Sequence, residues 1–116
     1  MLDVKINRRG WLKGEGSDAS KLLRESDGLR CCIGFAASAA GFGDHTLWDK
    51  CTLEEFWAGP GGFRGTGFAS LDDLYDPTIY HELYETNDDR DIPDDMREEK
   101  VALLGRQVGI KFTFVD

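Results

Sequence analysis

Two adjacent cysteines, Cys31 and Cys32, are the residues of this 116-residue sequence whose spacing most suggests chemistry. They open an apolar, alanine-rich segment that predicts a helix, and the amides at a helix N-terminus stabilise a thiolate. His45 or His81 as a base, with Asn87 to orient it, would complete the trio of a cysteine-dependent hydrolase or transferase. Neither histidine lies in a local sequence signature, and cysteine is among the most buried residue types. We therefore predict that both cysteines pack in the core, with catalysis by Cys31 or Cys32 as the alternative.

A zinc site built from the cysteines is not favoured. Cys31, Cys32 and Cys51 lack the C-x-x-C spacing with which two thiolates hold one ion. His45 would be an unsupported fourth ligand. The odd number of cysteines also makes a poor disulfide framework, so we expect a reducing compartment, the cytoplasm.

The acidic run NDDRDIPDDMRE, residues 87–98, resembles a calcium loop in part. Its positions 1, 3, 5, 9 and 12 carry oxygen-bearing side chains, as do the ligand positions of an EF-hand. Position 6 of such a loop requires glycine, whereas this chain has Ile92 followed by Pro93. We predict instead a break between two helices in which Asn87 and Asp88 cap backbone amides, with no metal and no cofactor.

The glycine-rich stretch GPGGFRGTG, residues 59–67, predicts a loop. It lacks the Gly-Lys-Ser/Thr ending of a phosphate loop, no strand pattern precedes it, and it does not match the dinucleotide fingerprint. We expect it either to present Phe63 and Arg64 to a partner or to serve as a plain connector.

Alternating apolar residues predict two strands, at residues 2–7 and 110–115, which we expect to pair in one small sheet. Small apolar residues from Cys31 to Gly41 predict a helix that is buried on every side. Other helical patterns follow capping signals at residues 17–20, 52–55 and 70–73, and at Pro77 and Pro93. The predicted fold is one α+β domain, residues 1–116, with about five mostly short helices around the central helix 31–41.

The last predicted helix, which begins at Pro93, has a clear division between its faces. Val101, Leu104 and Val108 fall on one side. The charged and polar residues of the other side are expected to face water: Arg97, Glu98, Arg106 and Gln107. Gly109 is the predicted stop.

The formal charge of −8 is concentrated in one segment. Residues 1–71 are balanced, residues 72–99 hold 12 acids against Arg90 and Arg97, and the remainder adds two positive charges. Direct nucleic-acid binding needs clustered lysine and arginine, so this distribution argues against it and against anionic membranes. We also predict no membrane span and no secretory signal, since the start is charged and no apolar run is long enough.

Several motifs together resemble a known group of proteins. They are Cys-Cys-Ile-Gly-Phe at residues 31–35, an alanine-rich helix that ends in glycine, Asn-Asp at 87–88, and a closing REEK helix followed by Gly-Ile-x-Phe-x-Phe-Val-Asp. In this order the chain resembles small acidic proteins common in bacteriophage and prophage genomes, in which the helix typically reads Cys-Cys-Leu-Gly. The resemblance runs from about residue 11 to residue 116, without a counterpart for the loop at 59–67. It implies a phage-like setting, in which small acidic proteins often bind host machinery.

The sequence thus predicts a non-enzymatic, acidic binding protein whose 72–99 face meets a protein partner with a basic surface. An ordinary solvated face that keeps the protein soluble is the simpler alternative. In the phage-like setting the hypothesis becomes an anti-CRISPR-like inhibitor of a host nucleic-acid-handling or defence complex, acting in the host cytoplasm as a monomer or small homo-oligomer. The predicted partner-binding residues are Asp88, Asp89, Asp91, Asp94, Asp95, Glu98, Phe63 and Arg64.

Overall fold

The computed structural model describes residues 2–14, 21–49 and 76–116. Their elements are strand β1 (Leu2–Asn7), a 3-10 turn (Arg8–Gly10), helices α1 (Cys32–Ala39), α2 (Asp44–Leu47), α3 (Pro77–Asp88) and α4 (Asp94–Gln107), and strand β2 (Ile110–Val115). The predicted α+β class is confirmed. The described residues contain four α-helices, and the elements predicted at 52–57, 59–67 and 70–73 lie outside these ranges.

The two terminal strands pair with each other, as predicted, and they pair in parallel. The register runs from Leu2 opposite Ile110 to Asn7 opposite Val115, within the predicted bounds. Alternate side chains of both strands enter the core: Val4, Ile6, Ile110 and Phe112. Because a parallel pair cannot be closed by a tight turn, the chain between the strands has to cross over.

Helix α1 lies within the segment predicted as helix 31–41 and is mostly buried. Its buried residues are Cys32, Ile33, Gly34, Ala36 and Ala37. Gly41, just past its end, has a φ of +101°, which is the left-handed conformation expected after a helix C-terminus. The backbone of Leu22 passes so close to Gly34 that a β-carbon there would lie 1.8 Å from the Leu22 carbonyl oxygen. The small residues of α1 thus allow a neighbouring backbone to approach it directly.

The capping signal at residues 17–20 predicts a short helix through Leu22 and Leu23, and this prediction is wrong for the described part of that segment, which begins at residue 21 and is not helical. Leu23 instead forms a bridge with Trp48, and its carbonyl accepts a hydrogen bond from the Asp49 amide. The carbonyl of Lys21 accepts from the Cys31 amide. The backbone groups of this segment bond to other parts of the chain, so they are not available for helical hydrogen bonds.

Helices α3 and α4 begin where the prolines predict. Pro77 occupies the first turn of α3, behind Asp76, whose side chain accepts a hydrogen bond from the Thr78 amide. Pro93 caps α4. Helix α3 continues to Asp88, however, so the predicted break beginning at residue 87 starts too early. Within residues 2–14, 21–49 and 76–116, no helix combines the length and the apolar character that crossing a bilayer requires.

We predict that Gly34→Ala destabilises the protein by about 2 to 4 kcal/mol, because the new methyl group clashes with the Leu22 backbone. In an ordinary helix interior the same substitution increases stability, since alanine is preferred over glycine there by about 1 kcal/mol. Urea denaturation measures the change in the free energy of unfolding. Gly43→Ala is the control, since nothing lies within 4 Å of a β-carbon there, and its expected cost is below about 1 kcal/mol. Equal costs at the two positions would contradict the close approach.

Candidate functional site

The side-chain amide of Asn87, at the end of α3, joins three distant parts of the chain. Its oxygen accepts hydrogen bonds from the Trp11 indole nitrogen at 2.7 Å and from the Cys32 amide at 2.9 Å. Its nitrogen donates to the Leu12 carbonyl at 2.8 Å and to an Asp88 carboxylate oxygen at 3.0 Å. Asn87 is 0% exposed, and all four of its hydrogen-bonding positions are used.

This amide also supplies a cap for α1. The N-cap residue of α1 is Cys31, whose side chain makes no capping hydrogen bond, so the first amide of the helix needs another acceptor. Asn87 provides that acceptor from 55 residues along the chain. Asn87 was predicted to cap amides in the local break between two helices; it does cap an amide, but on a different helix.

Arg97 forms a second buried polar cluster beside the first. Its guanidinium donates to the carbonyls of Thr86, Asp89 and Ile92 and pairs with the Asp94 carboxylate at 2.8 Å. Carbonyls at the end of a helix lack internal donors, so this cation satisfies the end of α3 and the turn that follows. Arg97 is only 2% exposed, and its predicted position facing water is wrong.

The strand-like residues Trp11 to Gly14 cover both clusters. The Gly14 amide donates to the backbone carbonyl of Asn87 at 2.8 Å, and a β-carbon on Gly14 would lie 3.1 Å from the Arg97 guanidinium. Lys13 pairs with Asp94 at 2.8 Å, and its ammonium group lies 4.9 Å from the centre of the Trp11 ring. Arg97 and the segment from Trp11 to Gly14 therefore both contact the residues that join α3 to α4.

Both thiols at the start of α1 are buried, Cys31 at 1% and Cys32 at 0% exposed. Burial raises the pKa of Cys31 to about 12, and it also raises the pKa of Cys32; the amides of Ile33 and Gly34 oppose the shift at Cys31 only in part. Desolvation of a charged sulfur thus outweighs the helix N-terminus. At neutral pH both groups are thiols.

The histidines proposed as bases are on the surface, where they meet other partners. His81 pairs with Glu85 on the exposed side of α3, and the ring of His45 lies 4.3 Å from that of Trp48. Asn87 does touch the Cys32 backbone, but its side chain is fully used in the buried cluster. The described residues therefore do not bring a sulfur and an imidazole together.

The predicted acidic residues divide into three groups: one that is buried, two that pair with basic residues, and three that lie at the surface without such a pair among the described residues. Asp88 is buried at 8% exposed beside Asn87, which corrects its expected place on a binding face. Asp94 pairs with Lys13 and Arg97, and Glu98 receives two hydrogen bonds from Arg8, at 2.8 and 2.9 Å. The other three are at the surface: Asp91 and Asp95 exposed, and Asp89 half-exposed. Phe63 and Arg64 lie outside the described residues.

Two exposed carboxylates of α3 went unnamed in the sequence prediction. Glu82 and Glu85 lie on the exposed side of α3. Their signal was the helical spacing itself, because Tyr80 and Leu83 point inward and leave residues 82 and 85 outside. Within the described ranges, no group of three or more histidine, cysteine or acidic residues is arranged to hold a metal ion.

Comparison of the chain with protein-family models, curated proteins and solved structures finds no match. The resemblance to phage proteins therefore stays a prediction.

We predict that Asn87→Ala costs at least about 3 kcal/mol of stability, because the Trp11 indole, the Cys32 amide and the Leu12 carbonyl all lose their partner in a dry site. Asn87→Asp, though nearly the same shape, should cost a similar amount, since it turns the donor facing Leu12 and Asp88 into an acceptor. Chemical denaturation followed by circular dichroism measures both. The matched control is the exposed Asn7→Ala, which loses one surface hydrogen bond to the Arg9 amide. If Asn87→Asp were as stable as the wild type, the side-chain nitrogen of Asn87 would not be the donor to Leu12 and Asp88.

We predict that Cys31 and Cys32 react with a thiol reagent only when the protein unfolds. The test uses a Cys51→Ser background, so that all labelling reports the two buried thiols. The labelling rate should rise with urea in parallel with the unfolded fraction. Its dependence on pH should be that of the unfolded chain, whose thiols have the ordinary cysteine pKa of about 8.5. Rapid labelling of the native protein at neutral pH in the absence of urea would contradict the burial of the two thiols.

Proposed function

We propose that this protein is a non-enzymatic, acidic binding protein that engages the basic surface of a protein partner. The binding face is an acidic surface made of Glu82, Glu85, Asp89, Asp91 and Asp95. The observation that carries the proposal is the division among the carboxylates of α3, α4 and the turn between them. These five pair with no lysine or arginine of the described residues, whereas Asp94 and Glu98 are neutralised by basic residues of the first 13.

The acidic surface rests on a rigid support. The Arg97 guanidinium fixes the carbonyls of Asp89 and Ile92, and the Asp89 side chain accepts a hydrogen bond from the Asp91 amide at 2.8 Å. A surface whose backbone is already ordered loses less conformational entropy when it binds. Exposed carboxylates also steer a positively charged partner and make association dependent on salt.

In its sharper form, the proposed partner is a host complex that handles nucleic acid or acts in defence, and the protein inhibits it in the manner of an anti-CRISPR protein. Two points support this form: the concentration of negative charge in residues 72–99, which suits a groove built for phosphates, and the resemblance to phage proteins. Phe63 and Arg64 remain proposed contributors. The cysteine-dependent alternative has less support, because burial raises the pKa of both Cys31 and Cys32 and so disfavours the thiolate that would act as nucleophile.

The experiment compares capture of partners from a bacterial host lysate by three immobilised proteins. They are the wild type, Glu82→Lys/Asp91→Lys on the acidic surface, and Asp3→Lys/Glu25→Lys as the control, which makes the same change in net charge at exposed positions elsewhere. Circular dichroism melts confirm that all three are folded.

We expect the wild type and the control to retain the same partners and the acidic-surface variant to lose them. Capture should weaken as salt rises, since exposed charges are screened beyond about 10 Å at 0.1 M salt. Displacement by duplex DNA supports the sharper form, and persistence in excess DNA contradicts it. Equal capture by all three proteins would refute the acidic surface as the binding face.

A further inference from the structure

The outer side of α4 carries two exposed apolar side chains with charges between them. Met96 is 50% and Leu103 is 54% exposed. They are seven residues apart, which is two turns or about 10 Å along the same face of a helix. Glu99 and Lys100 lie between them on that face, are exposed, and form no ion pair with any described residue. Arg106 continues the face beyond Leu103 and is also exposed.

The order of side chains along this face is complementary to the same order read in the opposite direction. Counting outward from the midpoint between residues 99 and 100, Glu99 corresponds to Lys100 and Met96 corresponds to Leu103. The face is acidic at its N-terminal end, where Asp95 adjoins Met96, and basic at its C-terminal end. A second helix of the same sequence, laid antiparallel, would therefore bring apolar to apolar and negative to positive. A parallel arrangement would instead oppose like charges.

We propose that this face of α4 is an interface between two copies of the chain, packed antiparallel about a two-fold axis that passes between residues 99 and 100. Met96 of each copy contacts Leu103 of the other, and Glu99 of each copy contacts Lys100 of the other. In such an isologous interface each contact occurs twice, so two compatible pairs give four contacts. The opposed helix dipoles also favour this direction.

The choice of a second copy, and not a foreign partner, follows from the charge pattern. A partner that is only basic would meet Lys100 and Arg106 with repulsion, and a partner that is only acidic would meet Asp95 and Glu99 in the same way. The chain itself carries the matching order of charges. An interface made by one helix face from each copy buries less surface than most protein interfaces. The dimer is therefore weak, and the dimeric fraction depends on protein concentration.

This inference does not rest on the proposed binding function, because none of the four residues that make the proposed contacts, Met96, Glu99, Lys100 and Leu103, belongs to the acidic surface. Asp95, which does belong to it, borders the face but makes none of those contacts. A dimer would present that surface twice, and a partner with two sites would then bind more tightly through avidity. Either proposal can fail without the other.

The test is sedimentation equilibrium over a range of concentrations, with two single charge reversals measured alone and mixed. Glu99→Lys places lysines at both 99 and 100, so lysine meets lysine across the interface. Lys100→Glu places glutamates at both positions, so glutamate meets glutamate. Each variant alone should dimerise at least about tenfold more weakly than the wild type. Mixed in equal amounts, the two variants oppose lysines to glutamates and have the same total charge as two wild-type copies. Their heterodimer should recover to within about threefold of the wild-type affinity.

Both positions are exposed, so the variants are expected to fold, and circular dichroism checks this. Glu82→Lys is the control, since it makes the charge change of Glu99→Lys on α3 and should leave dimerisation nearly unchanged. A wild type that remains monomeric at about 1 mM, where binding would be weaker than about 4 kcal/mol, overturns the proposal. A mixture that associates no better than either variant alone also overturns it, because the proposed pairing sets lysines against glutamates in the mixture. Variants that dimerise alone as well as the wild type would overturn the antiparallel direction, because a parallel pair opposes like charges already in the wild type.

Discussion

A buried amide must find four hydrogen-bonding partners, and the side chain of Asn87 finds them in three separate segments. An unsatisfied polar group in a dry interior costs about 1 to 3 kcal/mol, so Asn87 can occupy its place only when Trp11, Leu12 and Cys32 are all in theirs. The amide thereby sets the distance between α3, the start of α1 and the segment that follows β1. A core of small and aliphatic side chains alone would fix the relative positions of these three segments less uniquely.

The Arg97 cluster extends this constraint to the surface. The cation satisfies carbonyls at the end of α3, and its ion pair with Asp94 is shared with Lys13, next to the residues that hold Asn87. A guanidinium this deeply buried is stable only when its donors are used. The turn that carries Asp89 and Asp91 is therefore continuous with the core.

Local patterns predicted much of the fold and little of the polar interior. Strict alternation identified both strands, and Pro77 and Pro93 marked two helix starts, because these signals arise from neighbouring residues. Asn87 was noticed for its capping ability, but hydrogen bonds to Cys32 and Trp11, 55 and 76 residues away, leave no local trace. The exposure of Arg97 was predicted wrongly for a related reason. A charged side chain is expected at the surface, but the carbonyls at the end of α3 bind this guanidinium in the interior. At the proposed binding site, the density of acidic residues was readable from the sequence. Which of the carboxylates pair with lysine or arginine was not, because those pairs depend on the packing of α4 against the first 13 residues.

The central claim, that the Asn87 amide fixes the packing of the chain, is tested most directly by hydrogen exchange of the tryptophan indole groups, followed by NMR. The Trp11 indole N–H donates to Asn87 from a site that is 4% exposed, whereas Trp48 is 39% exposed and serves as an internal reference. The account predicts that the Trp11 indole exchanges only through global unfolding, at the rate of the most protected backbone amides, and that Asn87→Ala removes this protection. A Trp11 indole that exchanges as fast as that of Trp48 in the native wild type would contradict it.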